Sequence, residues 1–591
     1  MKRYLFTLLL SGFYWALSGV CLGQAITHEW KSTAVSSSWN DGSNWDAGTV
    51  PNGSSNVKIV GSNYTPTVSG NLTINHLNIG GSINIGSHTI TASQSVVSSF
   101  GFIQSSGGKL VSPHAGAFNF TTVQGNISLE FDTGVLNGSN VFENALTLQV
   151  NSPTSFLVAA SRPDHYKGPT TFINNGSGGL YLAAYADAGT NPTTFEGSFT
   201  FINNAGSANF FAENDYDARL LFKGAVNIQD NSNDPNGFLR IWKSTFEQAV
   251  TLTNQAANLS FRGGVVLAGQ VYLNGTGGTF GFMGSTTTNS PTLVAATGGI
   301  QVGSSGLSGS TVLFDRLAYQ SNGNLNLLLG DGNSHSSVLT AIQTTAYSNF
   351  TGKVNFRADY VELNGSTFQS DATFERTGPN LGMSGGWNGN GNSAGGNTFN
   401  GSVLATNHSG TNWKWGVLAT DVFNGDVVFR HGRGAASQLN IAQSGAHLFK
   451  GNLTLQSTPD ALSSGGITVG HAGDTTKLAV GKQLSTTGFL GGYIKLHRFR
   501  QLGFTNPQTV VLPPTATLQL EQVIFDSQLT ATAGHLEIAN STFRRPCFFT
   551  KTATGIDFSN GSNLFYRYTR FTNNAPAGSY LQFIAPNDVI R

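Results

Sequence analysis

The chain repeats a short pattern in which an aromatic residue, a variable residue and glycine precede alternating apolar and polar positions. Three copies, FNGSVLATN, FNGDVVFRH and FKGNLTLQS, begin at Phe399, Phe423 and Phe449. Apolar residues stand four and six positions after the aromatic, which is the two-residue period of a β-strand with one buried face. The pattern therefore predicts an aromatic residue, a corner and then a strand.

Further copies of the pattern cover much of the chain, and they begin at Phe142, Tyr166, Phe195, Phe222, Phe246, Phe350 and Phe368. Most intervals between copies lie between 24 and 31 residues, and the gap of 104 residues before Phe350 fits four units with degraded motifs. A unit of this size cannot bury its own apolar face, and stacking on its neighbours solves that problem. The predicted fold is all-β, a parallel β-helix (β-solenoid) of about 24–30-residue coils.

Two neighbouring copies match over a longer span, FINNGSGGLYLA from Phe172 and FINNAGSANFFA from Phe201. Each contains a strand, an asparagine-rich turn and a second strand, so equivalent residues of successive coils should lie above one another. We expect an internal ladder of phenylalanines and corner or external ladders of asparagines. The glycine of the motif permits a positive φ or a tight bend before the strand.

The N-terminus has the layout of a secretory signal peptide, predicted over residues 1–25. Lys2 and Arg3 precede an apolar run, and small residues at Gly23 and Ala25 offer a cleavage point. A lipoprotein signal ending at Cys21 is the alternative. The predicted localisation is secreted or on the outer cell surface.

The rest of the chain divides into three predicted parts. Residues 26–85 form an N-terminal cap and first coils, 86–481 the Phe-x-Gly repeat, and 482–591 further coils that lack this motif. An uncapped β-helix exposes a sheet edge, so the final residues are expected to be capped or to continue in a longer gene product.

Composition excludes several classes of partner. Only 10% of the residues are charged and the net charge is +1, so nucleic acid and anionic membranes are not expected partners. No stretch after the signal is long and apolar enough to span a bilayer. With Cys21 in the signal, Cys547 stands alone, and we interpret it as a buried, inert thiol. No cofactor is predicted.

The segment SSSWNDGSNWDAGTVPNGSSNVKIV, from Ser36 to Val60, resembles the opening of secreted or surface β-helix proteins of the Bacteroidota type. The Phe-x-Gly repeats and Asn-rich turns are similar in style to the body of these adhesin-like proteins. The resemblance implies a bacterial surface or secreted, adhesin-like role. The residues themselves have a structural interpretation, in which Trp39 and Trp45 cover the open end of the first coil and Pro51 sets the turn into the first strand.

Polysaccharide-cleaving enzymes also use β-helices, so clusters of ionisable residues are candidates for catalysis. The densest acidic groups are 213–219 and 230–237, where Asp230 and Asp234 alternate with other oxygen-bearing residues. Pro235 stands where a calcium loop requires glycine, so we interpret that group as a polar turn and predict no metal site. The other candidates are the segments His431 to Gly434 and His497 to Arg500. None of these groups compels a catalytic assignment.

Tryptophans supply the candidate ligand-binding residues, Trp387, Trp413 and Trp415. In an extended NWKW segment Trp413 and Trp415 share one strand face, where exposed rings would stack on sugars. Burial in the core is the alternative.

The predicted function is display by a secreted or surface β-solenoid, an adhesin-like or structural role with polysaccharide or cell-surface glycans as partners. The alternative is a polysaccharide lyase or glycoside hydrolase on the same scaffold, and a third possibility is a stalk within a longer chain. An exposed aromatic strip would favour glycan binding, and a converging acidic groove would favour the enzyme. If neither feature is present, the stalk is favoured.

Overall fold

The computed structural model describes residues 25–591 except 184–190, 206–207, 213–217, 286–289, 296, 330–335, 341–347, 379–392, 433–436, 444–445, 462–464, 472–473 and 584. It divides into two compact units, unit 1 (Met1–Val271) and unit 2 (Tyr272–Arg591). The described residues contain strands and one 3₁₀ turn, Gly42–Asn44. The all-β prediction is confirmed.

The strands that begin in unit 1 are short, apart from a few long ones near its start. Their bounds are His28–Glu29, Asn56–Ile59, Leu72–Ile79, Ser82–Gly86, Thr89–Ser99, Phe102–Ser105, Gly108–Asn119, Thr122–Gln124, Ile127–Gly138, Val141–Phe142, Leu146–Val150, Phe156–Val158, His165–Tyr166, Thr170–Asn174, Leu180–Leu182, Thr193–Phe195, Phe199–Asn203, Ala208–Phe211, Leu220–Phe222, Val226–Asp230, Phe238–Trp242, Ser244–Phe246, Val250–Asn254, Asn258–Arg262, Val266–Leu267 and Gln270–Gly275.

Unit 2 repeats the same scheme. Its strand bounds are Thr279–Met283, Thr292–Val294, Gly299–Leu307, Thr311–Asp315, Leu317–Tyr319, Leu325–Leu328, Ser337–Leu339, Ser348–Phe350, Val354–Ala358, Tyr360–Glu362, Ser366–Phe368, Ala372–Arg376, Thr398–Phe399, Val403–Asn407, Asn412–Trp415, Val422–Phe423, Val427–His431, Gln438–Ile441, Leu448–Phe449, Leu453–Ser457, Gly466–Val469, Thr476–Leu478, Leu484–Ser485, Gly492–His497, Phe499–Gln501, Gln508–Val511, Ala516–Glu521, Ile524–Phe525, Leu529–Ala533, His535–Ala539, Thr542–Phe543, Cys547–Lys551, Ile556–Phe558, Leu564–Phe565, Thr569–Asn573, Tyr580–Gln582 and Val589–Ile590.

One coil of unit 1 shows the anatomy that the others share. The first strand, Thr193–Phe195, is short and ends on the motif's aromatic residue; we call it the ladder strand. The second strand, Phe199–Asn203, follows the corner. The third strand, Ala208–Phe211, comes after a turn. Each strand pairs in parallel and in register with the equivalent strand of the next coil, as Phe199 does with Val226. The fold is therefore a parallel β-helix, as predicted.

The aromatic residues of the motif form the predicted internal ladder in both units. In unit 1 it runs through Phe142, Tyr166, Phe195, Phe222 and Phe246, whose successive ring centroids are 4.5–5.2 Å apart and nearly parallel. In unit 2 it runs through Phe350, Phe368, Phe399, Phe423 and Phe449, at 4.9–5.1 Å. All ten side chains are buried. Since the strand spacing itself is about 4.8 Å, in-register pairing brings each ring onto the next.

The long interval between Phe246 and Phe350 contains degraded copies, as predicted. Leu267 in unit 1 takes the ladder position beside Phe246. In unit 2, Val294 pairs with Tyr319, and Tyr319 pairs with Phe350. Aliphatic residues and tyrosine thus replace phenylalanine at these ladder positions. The C-terminal part also continues as coils, with Phe525, Phe543 and Phe565 in the ladder position.

The motif glycines serve close approach between coils, and of the two uses that the sequence allows, a positive φ and a tight bend, the first does not occur at the three glycines named next. None of Gly224, Gly425 and Gly451 has a positive φ. A Cβ on Gly425 would lie 2.3 Å from the carbonyl oxygen of Gly401, and one on Gly451 would lie 2.1 Å from that of Gly425. Glycine is required because the backbone of the preceding coil occupies the space of a side chain.

A left-handed residue after the third strand turns the chain toward the next ladder strand. In unit 1 this position is held by Phe100, Phe120, Ser139, Ala159, Ala183, Ala212 and Lys243, with φ between 41° and 57°. A left-handed conformation costs a residue other than glycine about 1–2 kcal/mol. The fold accepts this cost at one corner of successive coils.

The variable residue of the motif forms a polar column at the surface. In unit 1 its charges alternate through Glu143, Lys167, Glu196, Lys223 and Glu247. Lys167 lies 2.8 Å from Glu143, and Lys223 lies 3.7 Å from Glu196. In unit 2 part of this column consists of amides: the amide of Asn400 donates to Gln369 at 2.6 Å, and that of Asn424 donates to Asn400 at 2.7 Å.

The predicted asparagine ladders are also present in unit 1. Outside the coils, the side-chain amide of Asn175 donates to Asn151, that of Asn204 to Asn175, and that of Asn231 to Asn204, at 2.8–3.1 Å. Inside them, Asn203 donates to the carboxylate of Asp230 at 2.8 Å. These bonds satisfy turn amides between coils and fix the register.

Three tryptophans near the start of unit 1 pack together in one buried cluster. Trp39 and Trp45 are completely buried and meet edge to face at 4.7 Å, and Trp30 meets Trp45 at 5.0 Å. The indole N–H of Trp45 donates to the carbonyl oxygen of Trp39 at 2.9 Å. These rings are core, with no surface for a ligand.

Candidate ligand-binding surface

The tryptophans predicted to bind a ligand do not form an accessible site. Trp387 lies outside the described residues. Trp413 and Trp415 share one strand face, as predicted, but both are completely buried, with ring centroids 5.1 Å apart. The indole N–H of Trp413 donates to the carbonyl oxygen of Val361 at 3.1 Å. Asn412 and Lys414 hold the outer face of this strand, so the prediction of ligand binding by Trp413 and Trp415 is corrected to a role in the core.

The candidate histidine and arginine residues connect coils of unit 2. His431 is buried, and its Nε2 lies 2.6 Å from the hydroxyl of Ser457; burial lowers the pKa of this imidazole to about 4. Arg498 donates to the side-chain oxygen of Gln522 at 2.7 Å, and Arg500 donates to the carboxylate of Asp526 at 3.1 Å. Arg433 and Gly434 lie outside the described residues. The others have a structural role as links between neighbouring coils.

The acidic groups do not converge in the described part of the chain. Asp230 is buried, and its carboxylate accepts hydrogen bonds from Ser232 and Asn203, which confirms the interpretation as a polar turn. Residues 213–217 of the other group lie outside the described residues. Burial raises the pKa of Asp164 and of Asp421 to about 7, but both carboxyl groups are inaccessible to a substrate. No cluster of three metal-binding side chains occurs among the described residues.

The thiol of Cys547 is buried, as predicted. Cys547 is buried, its sulfur lies 3.2 Å from the hydroxyl of Thr569, and burial raises the pKa of the thiol to about 11. A thiolate is therefore not formed near neutral pH.

The outer faces of four successive third strands in unit 1 carry rings and guanidinium groups. We call this set the aromatic–arginine strip; it consists of Tyr181, Phe210, Phe238, Arg240, Trp242 and Arg262. In-register pairing places Tyr181 beside Phe210, Phe210 beside Arg240, and Trp242 beside Arg262. The strip therefore follows directly from the sequence of each third strand and the parallel register.

The rings of the strip pack against one another across the coils. The centroids of Tyr181 and Phe210 are 4.9 Å apart with 28° between the planes, and those of Phe210 and Trp242 are 6.2 Å apart with 10°. Phe238 meets Phe210 edge to face at 5.2 Å. Tyr181, Phe210 and Phe238 are half-buried, whereas Trp242 is 7% exposed. The first three rings thus present part of their surface to solvent.

Arginines fix the orientation of these rings. The guanidinium carbon of Arg240 lies 4.2 Å from the centroid of Phe238 and 6.0 Å from that of Phe210. That of Arg262 lies 5.9 Å from the Trp242 ring, and its Nε donates to the hydroxyl of Ser260 at 3.0 Å. Cation–π contacts of this kind hold a ring in place before any ligand binds.

A surface made of rings and guanidinium groups is suited to binding rather than to catalysis. Planar apolar faces stack on the C–H faces of sugars, and neighbouring polar groups orient the ligand. The described residues of the strip contain no carboxylate or imidazole that would act as a general acid or base.

Unit 2 contains a cleft of about 730 Å³ between the segments 483–489 and 507–514. Hydroxyl and apolar groups line it, including Ser485, Thr487, Thr509 and Phe489. The lining residues include no ionisable side chain, so this cleft does not provide acid–base chemistry either.

The strip was missed at the level of sequence, although a signal for it exists. In the strand Leu180–Leu182 both inner positions are apolar, and in Ala208–Phe211 they are Asn209 and Phe211. The outer position between them is aromatic in both copies, Tyr181 and Phe210. Adjacent copies with an aromatic residue at the outward position indicate a ladder on the surface.

Comparison of the chain with protein-family models, with curated proteins and with solved structures gave no match in any of the three. None of the helices in the described residues is long and apolar enough to cross a membrane.

Proposed function

We propose that the protein is a secreted or surface-exposed β-solenoid that binds glycans through the aromatic–arginine strip and has an adhesin-like display role. The strip is the observation that carries the proposal. The predicted signal peptide at residues 1–25 and the resemblance of Ser36 to Val60 to surface β-helix proteins support the location.

The geometry of the strip favours a sugar chain as the ligand. Tyr181 and Phe210 lie in one column on consecutive coils with ring centroids 4.9 Å apart, and Phe238 lies on the next coil beside that column, 5.2 Å from Phe210. A pyranose repeat has a similar length, and an extended chain would contact more than one ring. Because each contact is weak, several contacts on one rigid face would add to a useful affinity.

An enzyme on this scaffold is the second candidate function, and the described residues give it less support. A glycosidase requires two accessible carboxyl groups across the scissile bond. Outward carboxylates instead pair with cations of neighbouring coils, as Glu130 does with Lys109, Glu375 with Arg357 and Glu521 with Lys495. These ion pairs link neighbouring coils.

The test is affinity electrophoresis of the mature chain in gels that contain single neutral or acidic polysaccharides. Released reducing or unsaturated ends are measured in parallel. The double variant Tyr181→Ala/Phe210→Ala should lose at least tenfold in affinity, since it removes two stacking rings. Thr200→Ala is the matched control, because Thr200 is an outward, half-buried residue on the second strand of the same coil as Phe210.

Thermal unfolding of each variant separates loss of binding from loss of structure. Equal affinity of the folded double variant and the wild-type chain would refute binding by the strip. Product release that Asp234→Asn abolishes would favour the enzyme instead.

A further inference from the structure

A second, separate aromatic group lies at the left-handed corner of the early coils of unit 1. Phe100 and Phe120 occupy this corner in successive coils, with φ of 57° and 50°. Their rings are parallel within 4° and their centroids are 4.8 Å apart. Phe100 is 71% exposed, which is unusual for a phenylalanine whose ring is already stacked on one side.

Arginine completes the stack on the far side of Phe120. The guanidinium carbon of Arg162 lies 4.8 Å from the centroid of the Phe120 ring. The corner residues between them in sequence order are Ser139 and Ala159, whose small side chains leave room for this contact. Gly138 also allows it, because a Cβ there would lie 2.2 Å from the carbonyl oxygen of Arg162.

The other face of the Phe100 ring is open. The facing corner of the preceding coil consists of Gly80 and Gly81, between the strands Leu72–Ile79 and Ser82–Gly86, and neither has a side chain to cover the ring. Successive corners are held by hydrogen bonds from the amide of Phe100 to Asn119 and from that of Phe120 to Gly138. A planar apolar face is thus fixed in space and presented to solvent.

The backbone does not explain the presence of these phenylalanines. The same corner holds serine, alanine or lysine in later coils of unit 1, at Ser139, Ala159, Ala183, Ala212 and Lys243. The left-handed conformation is thus kept without an aromatic side chain, and a bulky residue is not favoured in it. An exposed ring in a strained conformation contributes little to the stability of the coil.

We propose that the stack of Phe100, Phe120 and Arg162 is a sugar-stacking site, in which the open face of the Phe100 ring binds one pyranose. This inference rests on the proposed glycan binding and adds a site distinct from the aromatic–arginine strip. A sugar fits better than a protein partner, because one ring flanked by glycines is far smaller than the roughly 800 Å² per partner of a stable protein interface.

The experiment compares variants of the full mature chain in gels that contain one polysaccharide each, with neutral β-glucan, xylan and mannan and acidic polygalacturonate and heparin as probes. Phe100→Gly should weaken binding to the retarding polysaccharide about tenfold without loss of thermal stability, since glycine suits the left-handed backbone. Phe100→Leu should weaken it similarly because it keeps apolar bulk but lacks a planar face. Phe100→Trp should retain binding.

Two controls separate this site from other causes. Leu418→Ala removes a side chain that is 69% exposed and lies in unit 2, and should leave binding unchanged. Tyr181→Ala/Phe210→Ala reports on the strip in the same gels.

Each outcome decides between the proposals. Wild-type affinity in Phe100→Gly, together with loss in the strip variant, would overturn the Phe100 site and leave the proposed function in place. Loss in Phe100→Gly and Phe100→Leu with retention in Phe100→Trp supports the site whatever the strip variant does. Absence of retardation of the wild-type chain by every probe would overturn both.

Discussion

The close approach of coils at the motif glycines gives a prediction whose size follows from the structure. In Gly425→Ala the new methyl group would lie 2.3 Å from the oxygen and 2.5 Å from the carbonyl carbon of Gly401, and 2.9 Å from the amide nitrogen of Ser402. All three atoms belong to backbone, so no flexible side chain can yield. Ordinary contact begins at about 3.4 Å, so the two coils must separate by about 1 Å.

Separation by this amount would break hydrogen bonds that join the coils beside the corner. The amide of Asn424 donates to the carbonyl oxygen of Phe399 at 2.7 Å, and that of Val403 donates to the carbonyl oxygen of Asp426 at 2.8 Å. Loss of one or two such bonds costs about 0.5–1.5 kcal/mol each, and overpacking typically adds about 1–3 kcal/mol. We expect Gly425→Ala to lower the free energy of unfolding by about 2–4 kcal/mol.

Gly410→Ala in the same unit is the matched control. Gly410 does not have a positive φ, and a Cβ there would meet nothing within 4 Å. This change should leave stability unchanged or raise it by about 0.4–1 kcal/mol, because alanine restricts the unfolded chain. Guanidinium unfolding of both variants, with hydrogen exchange of the amides of Asn424 and Val403, measures the difference. Equal unfolding midpoints for the two variants would refute the role assigned to the motif glycines.

Three further predictions concern other parts of the chain. Trp413→Ala should destabilise unit 2 by about 3–5 kcal/mol and leave the affinity for any bound polysaccharide unchanged in the folded protein, as thermal unfolding and affinity electrophoresis will show. Glu196→Lys places a third cation between Lys167 and Lys223. The melting temperature of this variant should fall at low salt, by an amount that corresponds to only about 1 kcal/mol for exposed charges. It should recover at high salt, because salt screens the repulsion. Burial raises the pKa of Asp421 from 3.8 to about 7, so the contribution of Asp421 to stability is complete below pH 3.8 and is lost as pH rises through 7. Burial lowers the pKa of His447 to about 4, so the contribution of His447 to stability is present above pH 6.5 and is lost as pH falls. Asp421→Asn removes only the pH dependence of stability that Asp421 causes. The stability of this variant relative to the wild-type chain should therefore rise between pH 4 and 7 in unfolding titrations. A constant difference between the two proteins would contradict this assignment.

The fold was predictable because its main signal is a side-chain period that in-register stacking repeats. Phe399, Phe423 and Phe449 occur at one coil's interval, and a residue at one place in each coil must lie above its equivalent. The same reasoning predicted the asparagine ladders. Both results depend only on the repeat and on the two-residue period of a strand.

The parts that escaped prediction depend on distances between coils and on which face is buried. Glycine in Phe-x-Gly fits both a positive φ and a close approach, and only the position of the Gly401 carbonyl decides between them for Gly425. In unit 1 the left-handed corner is held by alanine, serine, phenylalanine or lysine, so no residue type marks it. The prediction that Trp413 and Trp415 share one strand face was correct. The polar residues Asn412 and Lys414 on the opposite face indicate that the tryptophan face is the buried one.

The alternating charges at Glu143, Lys167, Glu196, Lys223 and Glu247 impose a rule of parity on changes in the length of unit 1. Removal of one coil, residues 167–195, would attach Glu196 to Tyr166 and set it against Glu143, whereas removal of two coils, residues 167–222, would bring Lys223 to that place. Removal of one coil thus brings like charges together in the column, and removal of two coils keeps opposite charges next to each other. Duplications and deletions in this part of the chain should therefore be tolerated best when they add or remove coils in pairs.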